Sequence, residues 1–164
     1  TLTLNNSAAN AGASTVSLHR TLQDWGEGTS AAGMGGGGGA PATAGDATWL
    51  FREFPSTSCS TPGRSSAVSP SAVAEVAGPG AYSWTGAGLI ADIQSFLDSP
   101  GQNFGWTLIG DESMASTSKR FATREETDVG LRPILMIEFT PVPAPGGAAA
   151  LAMVGAAVTG RRRR

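Results

Sequence analysis

Apolar and polar residues alternate along most of this chain in short runs, each bounded by turn-forming residues, and that pattern predicts strands. Residues 1–4 and 15–20 form the first two, with Asn5-Asn6-Ser7 through Ala13-Ser14 as the bend between them. In the second, Val16 and Leu18 share one face, so Ser17 and His19 share the other. Residues 48–54 predict a third strand that places Trp49 and Phe51 together, and 81–84, 104–109, 119–123 and 133–140 supply the rest. Within the last of these, Ile134-Leu135-Met136-Ile137 is apolar on both faces until Glu138, which predicts a position in mid-sheet. Pro133, after Arg132, fits the first residue of that strand.

One segment changes period. Leu89, Ile90, Ile93, Phe96 and Leu97 recur at helical spacing between Gly88 and Asp98-Ser99-Pro100, predicting a short helix over 88–97 with its apolar stripe in the core. Two stretches predict loops: 26–45, which contains the pentaglycine Gly35 to Gly39, and 56–79, rich in Ser, Pro and Ala. The pentaglycine lacks the Lys-Ser/Thr that follows a phosphate-binding loop and joins no strand to a helix, which argues against nucleotide binding. Many short strands with frequent turns favour an all-β sandwich.

The last 24 residues follow neither period. They read as a spacer, Pro141-Val142-Pro143-Ala144-Pro145, then an apolar run from Gly146 to Gly160, then Arg161, Arg162, Arg163 and Arg164. A Pro-rich spacer stays extended, and a cationic terminus resists crossing a bilayer, so the arginines should stay cytoplasmic while everything before the run is exported. The arrangement resembles the PEP-CTERM sorting signal of bacterial envelope proteins. That resemblance implies cleavage by a membrane-embedded exosortase, with the family's Pro-Glu-Pro box represented by Val142-Pro143-Ala144-Pro145-Gly146, without the glutamate. A durable anchor needs about 20 apolar residues; this run has 15, of which Leu151, Met153, Val154 and Val158 are bulky. The tail is therefore expected to form an apolar helix inserted transiently in the inner membrane. A basic arm for nucleic acid fits less well, because without the four terminal arginines 7 Lys+Arg face 13 Asp+Glu, a net charge of −6.

Composition agrees with export: small residues dominate, charge is sparse, and Lys119 is the single lysine. With only Cys59 present there is no intrachain disulfide framework, and that thiol is expected to be a small buried filler. The sequence shows no initiator Met and no signal peptide, and it opens inside an alternating run; the expectation is a fragment or processed product. Catalytic residues are few. His19 is the single histidine, so a His/Cys zinc site has too few ligands, and no G-x-S-x-G elbow accompanies it. The carboxylates Asp24 and Glu27, Asp111-Glu112, and Glu125-Glu126 with Asp128 sit beside turn residues and read as solvated loop charge. No cofactor is expected; a structural calcium at Asp111, Glu112 or Asp128 stays open, without EF-hand-like spacing.

The stronger hint is aromatic. Sugars present flat C–H faces to an indole, and the chain carries Trp25, Trp49, Trp84 and Trp106. Trp49 and Trp106 alternate with apolar neighbours and are expected in the core. Trp25, within Asp24-Trp25-Gly26-Glu27-Gly28, is expected at a surface or loop base, and with Glu27 it is the candidate ligand-binding pair.

Several motifs then occur in order: Leu18 to Ser30 around Asp24-Trp25-Gly26-Glu27-Gly28, Gly45-Asp46-Ala47-Thr48-Trp49, Phe96 to Trp106 with Gly110-Asp111-Glu112, and Phe121 to Glu125 before Arg132-Pro133. Over residues 1–140 they resemble the DNRLRE domain of bacterial and archaeal extracellular proteins. The resemblance implies a jelly-roll-like antiparallel β-sandwich related to carbohydrate-binding modules, with 141–164 as the sorting tail. The family's first strands have no counterpart here, which predicts an unpaired sheet edge and incomplete cover for Leu2, Leu4, Val16 and Leu18. The family's arginine-glutamate pair stands as Arg124-Glu125, expected to tie a loop to the sheet. The function expected is that of an exported, envelope-associated, non-catalytic module that binds surface polysaccharide or belongs to a matrix. The alternatives are a purely structural surface protein, or an accessory module of a polysaccharide-degrading enzyme whose catalytic domain lies upstream.

Overall fold

A computed structural model describes residues 1–9, 12–31, 39–63, 65–111, 113, 115 and 117–141. The described strands are β1 (Leu2–Ala9), β2 (Ser14–Arg20), β3 (Phe51–Glu53), β4 (Thr57–Ser58), β5 (Ala72–Val76), β6 (Gly80–Trp84), β7 (Trp106–Gly110), β8 (Lys119–Phe121) and β9 (Ile134–Leu135). Helix α1 (Ala87–Asp98) falls between β6 and β7. All strand pairings are antiparallel.

Two sheets are each built around one of the first two strands. In the first, β1 pairs with β6 from Leu2↔Trp84 to Asn6↔Gly80, and its other side is shared by β8 and β9, with Leu2 opposite Leu135 and Asn6 opposite Phe121. In the second, β2 lies between β5 and β7, with Leu18 opposite both Ala72 and Leu108. The described residues are thus mainly antiparallel β, sandwich-like, with one α-helix.

The core collects one face of each sheet: Leu4 from β1, Val16 and Leu18 from β2, Ala72 and Val76 from β5, Trp84 from β6, and Leu89 from α1. Trp84 is fully buried. Its Nε1–H donates to the Val16 carbonyl at 2.8 Å, and its ring meets Phe121 edge to face. Cover over Leu4, Val16 and Leu18 is complete, and Leu2 is half-buried, which corrects the expectation of an uncovered edge at these residues. The reason is topological: both strands are central, flanked on each side.

Other departures from the sequence reading have local causes. The apolar run 134–137 lies at a sheet margin, not in mid-sheet. Only Ile134 and Leu135 are in ladder with β1, and the exposure continues to Phe139 at 80%. Hydrophobicity on both faces suits a central strand, but β8 already occupies the rest of that side of β1. Residues 72–76, within a stretch read as loop, form β5, whose Ala72 and Val76 point into the core. Residues 48–50 belong to a turn instead of a strand, which begins only at Phe51.

The helix forms where the periodicity places it, but its buried stripe is Leu89, Asp92 and Phe96, with Ile90 and Leu97 exposed. Gly88 allows the close contact with β5's approach: a Cβ there would overlap the Ser71 carbonyl. The expected apolar helix over 146–160, with Val142, Pro143, Ala144, Pro145, Gly146 and Arg161 to Arg164, lies outside the described residues. Among the described residues no helix is long and apolar enough to cross a membrane.

Candidate functional site

After β2 the chain runs across the margin of the sandwich, and backbone hydrogen bonds hold the segment 24–28 against 45–54. Gly26 N–H donates to Arg52 O at 2.8 Å, Ala47 N–H donates to Gly26 O at 2.9 Å, and the Arg52 guanidinium donates to Asp24 O at 2.6 Å. The two glycines of Trp25-Gly26-Glu27-Gly28 are there for space. A Cβ on Gly26 would overlap the Gly45 carbonyl, and one on Gly28, at φ +63°, would overlap the Asp46 carboxylate.

Asp46 organises this loop layer, a role the sequence reading did not assign. It is 3% exposed, and its carboxylate accepts from the backbone N–H groups of Thr29 at 3.0 Å, Ser30 at 3.3 Å and Thr43, and from the Thr43 hydroxyl. These donors, the Thr43 N–H foremost, stabilise the anion and lower its pKa to about 2. The visible signal was an aspartate between Gly45 and Ala47, flanked by Thr43 and Thr48, which is the composition of a turn held by a side-chain acceptor.

On this layer sit the residues singled out for ligand binding. Trp25 is 46% exposed, and its Nε1–H donates to Phe104 O at 3.0 Å, so the ring is fixed with its polar edge inward. Glu27 accepts from the Arg124 guanidinium at 2.8 Å, and Arg124 Nε donates to Glu125. The structure thereby brings Glu27, Arg124 and Glu125 into one ion cluster beside Trp25 in the chain. The Glu125 hydrogen bond, then the Glu27 charge, pushes the Arg124 pKa further up; the Arg124 hydrogen bond, then the Thr123 hydroxyl, lowers that of Glu125. The Arg124 fork joins two exposed loop carboxylates, Glu27 and its chain neighbour Glu125, so screening by water and salt keeps the contribution modest.

The four tryptophans divide differently from the expectation. Trp84 is core, and Trp106 is half-buried, packed edge to face on Phe96. Trp49, expected in the core, is 69% exposed. Trp106 Nε1–H donates to Asp92 at 2.8 Å, and the same carboxylate accepts from the Ser71 hydroxyl, with Arg20 Nε 3.7 Å from its other oxygen. Asp92 was not singled out, although an acid within the apolar stripe of a helix must find partners if buried.

The remaining candidates are dispersed. His19 is buried, its Nδ1 in a 2.8 Å hydrogen bond with Ala67 O, because residues 65–67 cover that end of β2. Cys59 is a half-buried free thiol. The Asp111 and Asp128 carboxylates accept from Ser113 N–H and Gly130 N–H, and Glu112 lies outside the described residues. Among the described residues no three His, Cys, Asp or Glu side chains converge as a metal site. Comparison of the chain with protein-family models, with curated proteins and with solved structures finds no match.

Proposed function

We propose that this chain is a non-catalytic, exported and envelope-associated β-sandwich of jelly-roll type, a DNRLRE-like module that binds or structures surface polysaccharide. The observation that carries the reading is the half-exposed indole of Trp25, anchored through Nε1 to Phe104 O and followed by Glu27 in a fixed ion pair. An apolar ring anchored at its polar edge, with a carboxylate two residues on in the chain, suits a sugar, which offers C–H faces and hydroxyl donors together. The burial of His19 and its bond to Ala67 O support a packing role for the single histidine. In the same reading residues 141–164 are a PEP-CTERM-type tail, inserted transiently with Arg161 to Arg164 cytoplasmic and removed by an exosortase.

A second reading is a structural surface module without glycan binding. It is favoured by the Arg124 fork, whose bonds go to Glu27 and Glu125 within the protein. Affinity electrophoresis of the full chain through gels containing neutral and acidic polysaccharides separates the two. Retardation that falls on Trp25→Ala and is unchanged on His19→Ala is the expected result. Free migration in every gel selects the structural reading.

A further inference from the structure

Trp49 is the most exposed tryptophan of the chain, and it is held in place. Residues Thr48 to Phe51 make a turn closed by Thr48 N–H donating to Phe51 O at 2.8 Å and by Phe51 N–H donating to the Thr48 hydroxyl at 3.0 Å. Trp49 and Leu50 occupy its tip, 69% and 54% exposed. Both tip carbonyls are engaged: Gly63 N–H donates to Trp49 O at 2.6 Å, and Cys59 N–H donates to Leu50 O at 2.9 Å. The six-membered part of the indole lies against the backbone of Gly63, which stands at φ +65°, and a Cβ there would overlap Cζ3, Cη2 and Cε3. A glycine therefore backs the ring on one side while most of the residue faces water.

An ordered, exposed indole costs little further entropy when a ligand stacks on it, which is the condition for affinity from a single ring. What surrounds it favours a sugar over a protein. Ser58, Ser60 and Thr61 are exposed in the segment that flanks the turn, and Pro62 is the one exposed apolar residue there, so the apolar area around Trp49 and Leu50 is small. A stable protein interface needs about 800 Å2 per partner, whereas one indole with a hydroxyl-bearing surround matches one pyranose ring.

We infer that Trp49, backed by Gly63, is the principal stacking platform of the module and takes a neutral, β-linked pyranose polymer whose rings present flat C–H faces. This rests on the polysaccharide reading above and relocates its main contact from Trp25 to the neighbouring turn, stitched to the Trp25 loop through the Gly26, Ala47 and Arg52 backbone.

The test is affinity electrophoresis of the full chain in hydroxyethylcellulose, in a β-1,3-glucan and in alginate, with thermal unfolding of each variant as a check on folding. Expected is retardation of the parent by a neutral glucan, weakened roughly tenfold in apparent Kd by Trp49→Ala and less by Trp25→Ala, and largely kept by Trp49→Tyr. Gly63→Ala, which displaces the ring without removing it, should weaken retardation also. A parent retarded equally with and without Trp49 overturns this assignment and leaves polysaccharide binding standing. A parent retarded by no glycan removes both. Self-association that Trp49→Ala abolishes, without retardation by any glycan, gives the ring to a second copy of the chain and overturns the assignment too.

Discussion

The indole N–H of Trp84 in β6 donates to the carbonyl of Val16 in β2 at 2.8 Å, joining the two sheets through the centre of the core. Trp84→Phe keeps much of the ring volume but deprives that buried carbonyl of its indole partner, which costs about 1–3 kcal/mol. Trp84→Ala adds the cavity and should cost about 3–5 kcal/mol. Urea unfolding monitored by far-ultraviolet circular dichroism measures both, and the order Ala worse than Phe worse than parent is the expected outcome.

Asp46 makes the loop layer sensitive to acid. Its pKa in the folded chain is about 2 against an ordinary 3.8, so the carboxylate's contribution to stability is full above about 3.8 and is lost as pH falls toward 2. Asp46→Ala should therefore melt below the parent at pH 6, and the two melting temperatures should converge as the pH is lowered through that window. A gap independent of pH down to 2 would show that the anion is not what the loop needs.

Arg124→Gln removes both exposed ion pairs of the Glu27 cluster. Because water and salt already screen them, the melting temperature should move by only about 2 °C or less, and the small difference should shrink further in high salt. Differential scanning calorimetry at low and high ionic strength reads both effects.

The margin formed by β9 exposes Ile134, Leu135, Met136, Ile137 and Phe139 in succession. Extended apolar edges invite pairing with other chains. Ile137→Lys with Phe139→Lys should lower concentration-dependent association, seen by light scattering, without lowering the melting temperature, since neither side chain is buried.

The proposed removal of the tail would leave a definite mass. Intact mass spectrometry of the protein from the envelope of a producing strain is expected to show a chain ending within Val142 to Gly146. Recovery with Arg161 to Arg164 attached would end the sorting proposal.

Much of the architecture was legible because period alone encodes it. Val16 and Leu18 alternate with polar neighbours and are buried, and Leu89, Ile93 and Phe96 recur at helical spacing and pack. Period does not say which strands pair. That is why the run from Ile134 reads as a mid-sheet strand although β1 offers it two residues, and why residues 72–76 read as loop although they complete the second sheet. At the loops the limit was contact. Trp49 alternates as a core residue would, yet a turn held by Thr48 and Gly63 carries it outward. Asp46 and Asp92 owe their importance to donors distant in sequence, Thr29 in one case and Trp106 and Ser71 in the other.

Both central strands come from the first twenty residues, and their partners come from far along the chain: β1 needs β6, β8 and β9, and β2 needs β5 and β7. During synthesis, β1 and β2 emerge long before these partner strands. Pairings such as Leu2 with Leu135 and Arg20 with Trp106 close large loops before they return any contact energy. Such topology folds slowly, on the scale of milliseconds to seconds, and it leaves Leu4, Val16 and Leu18 exposed to other chains meanwhile. The same two strands that end up best protected are the ones most at risk while the molecule is being made.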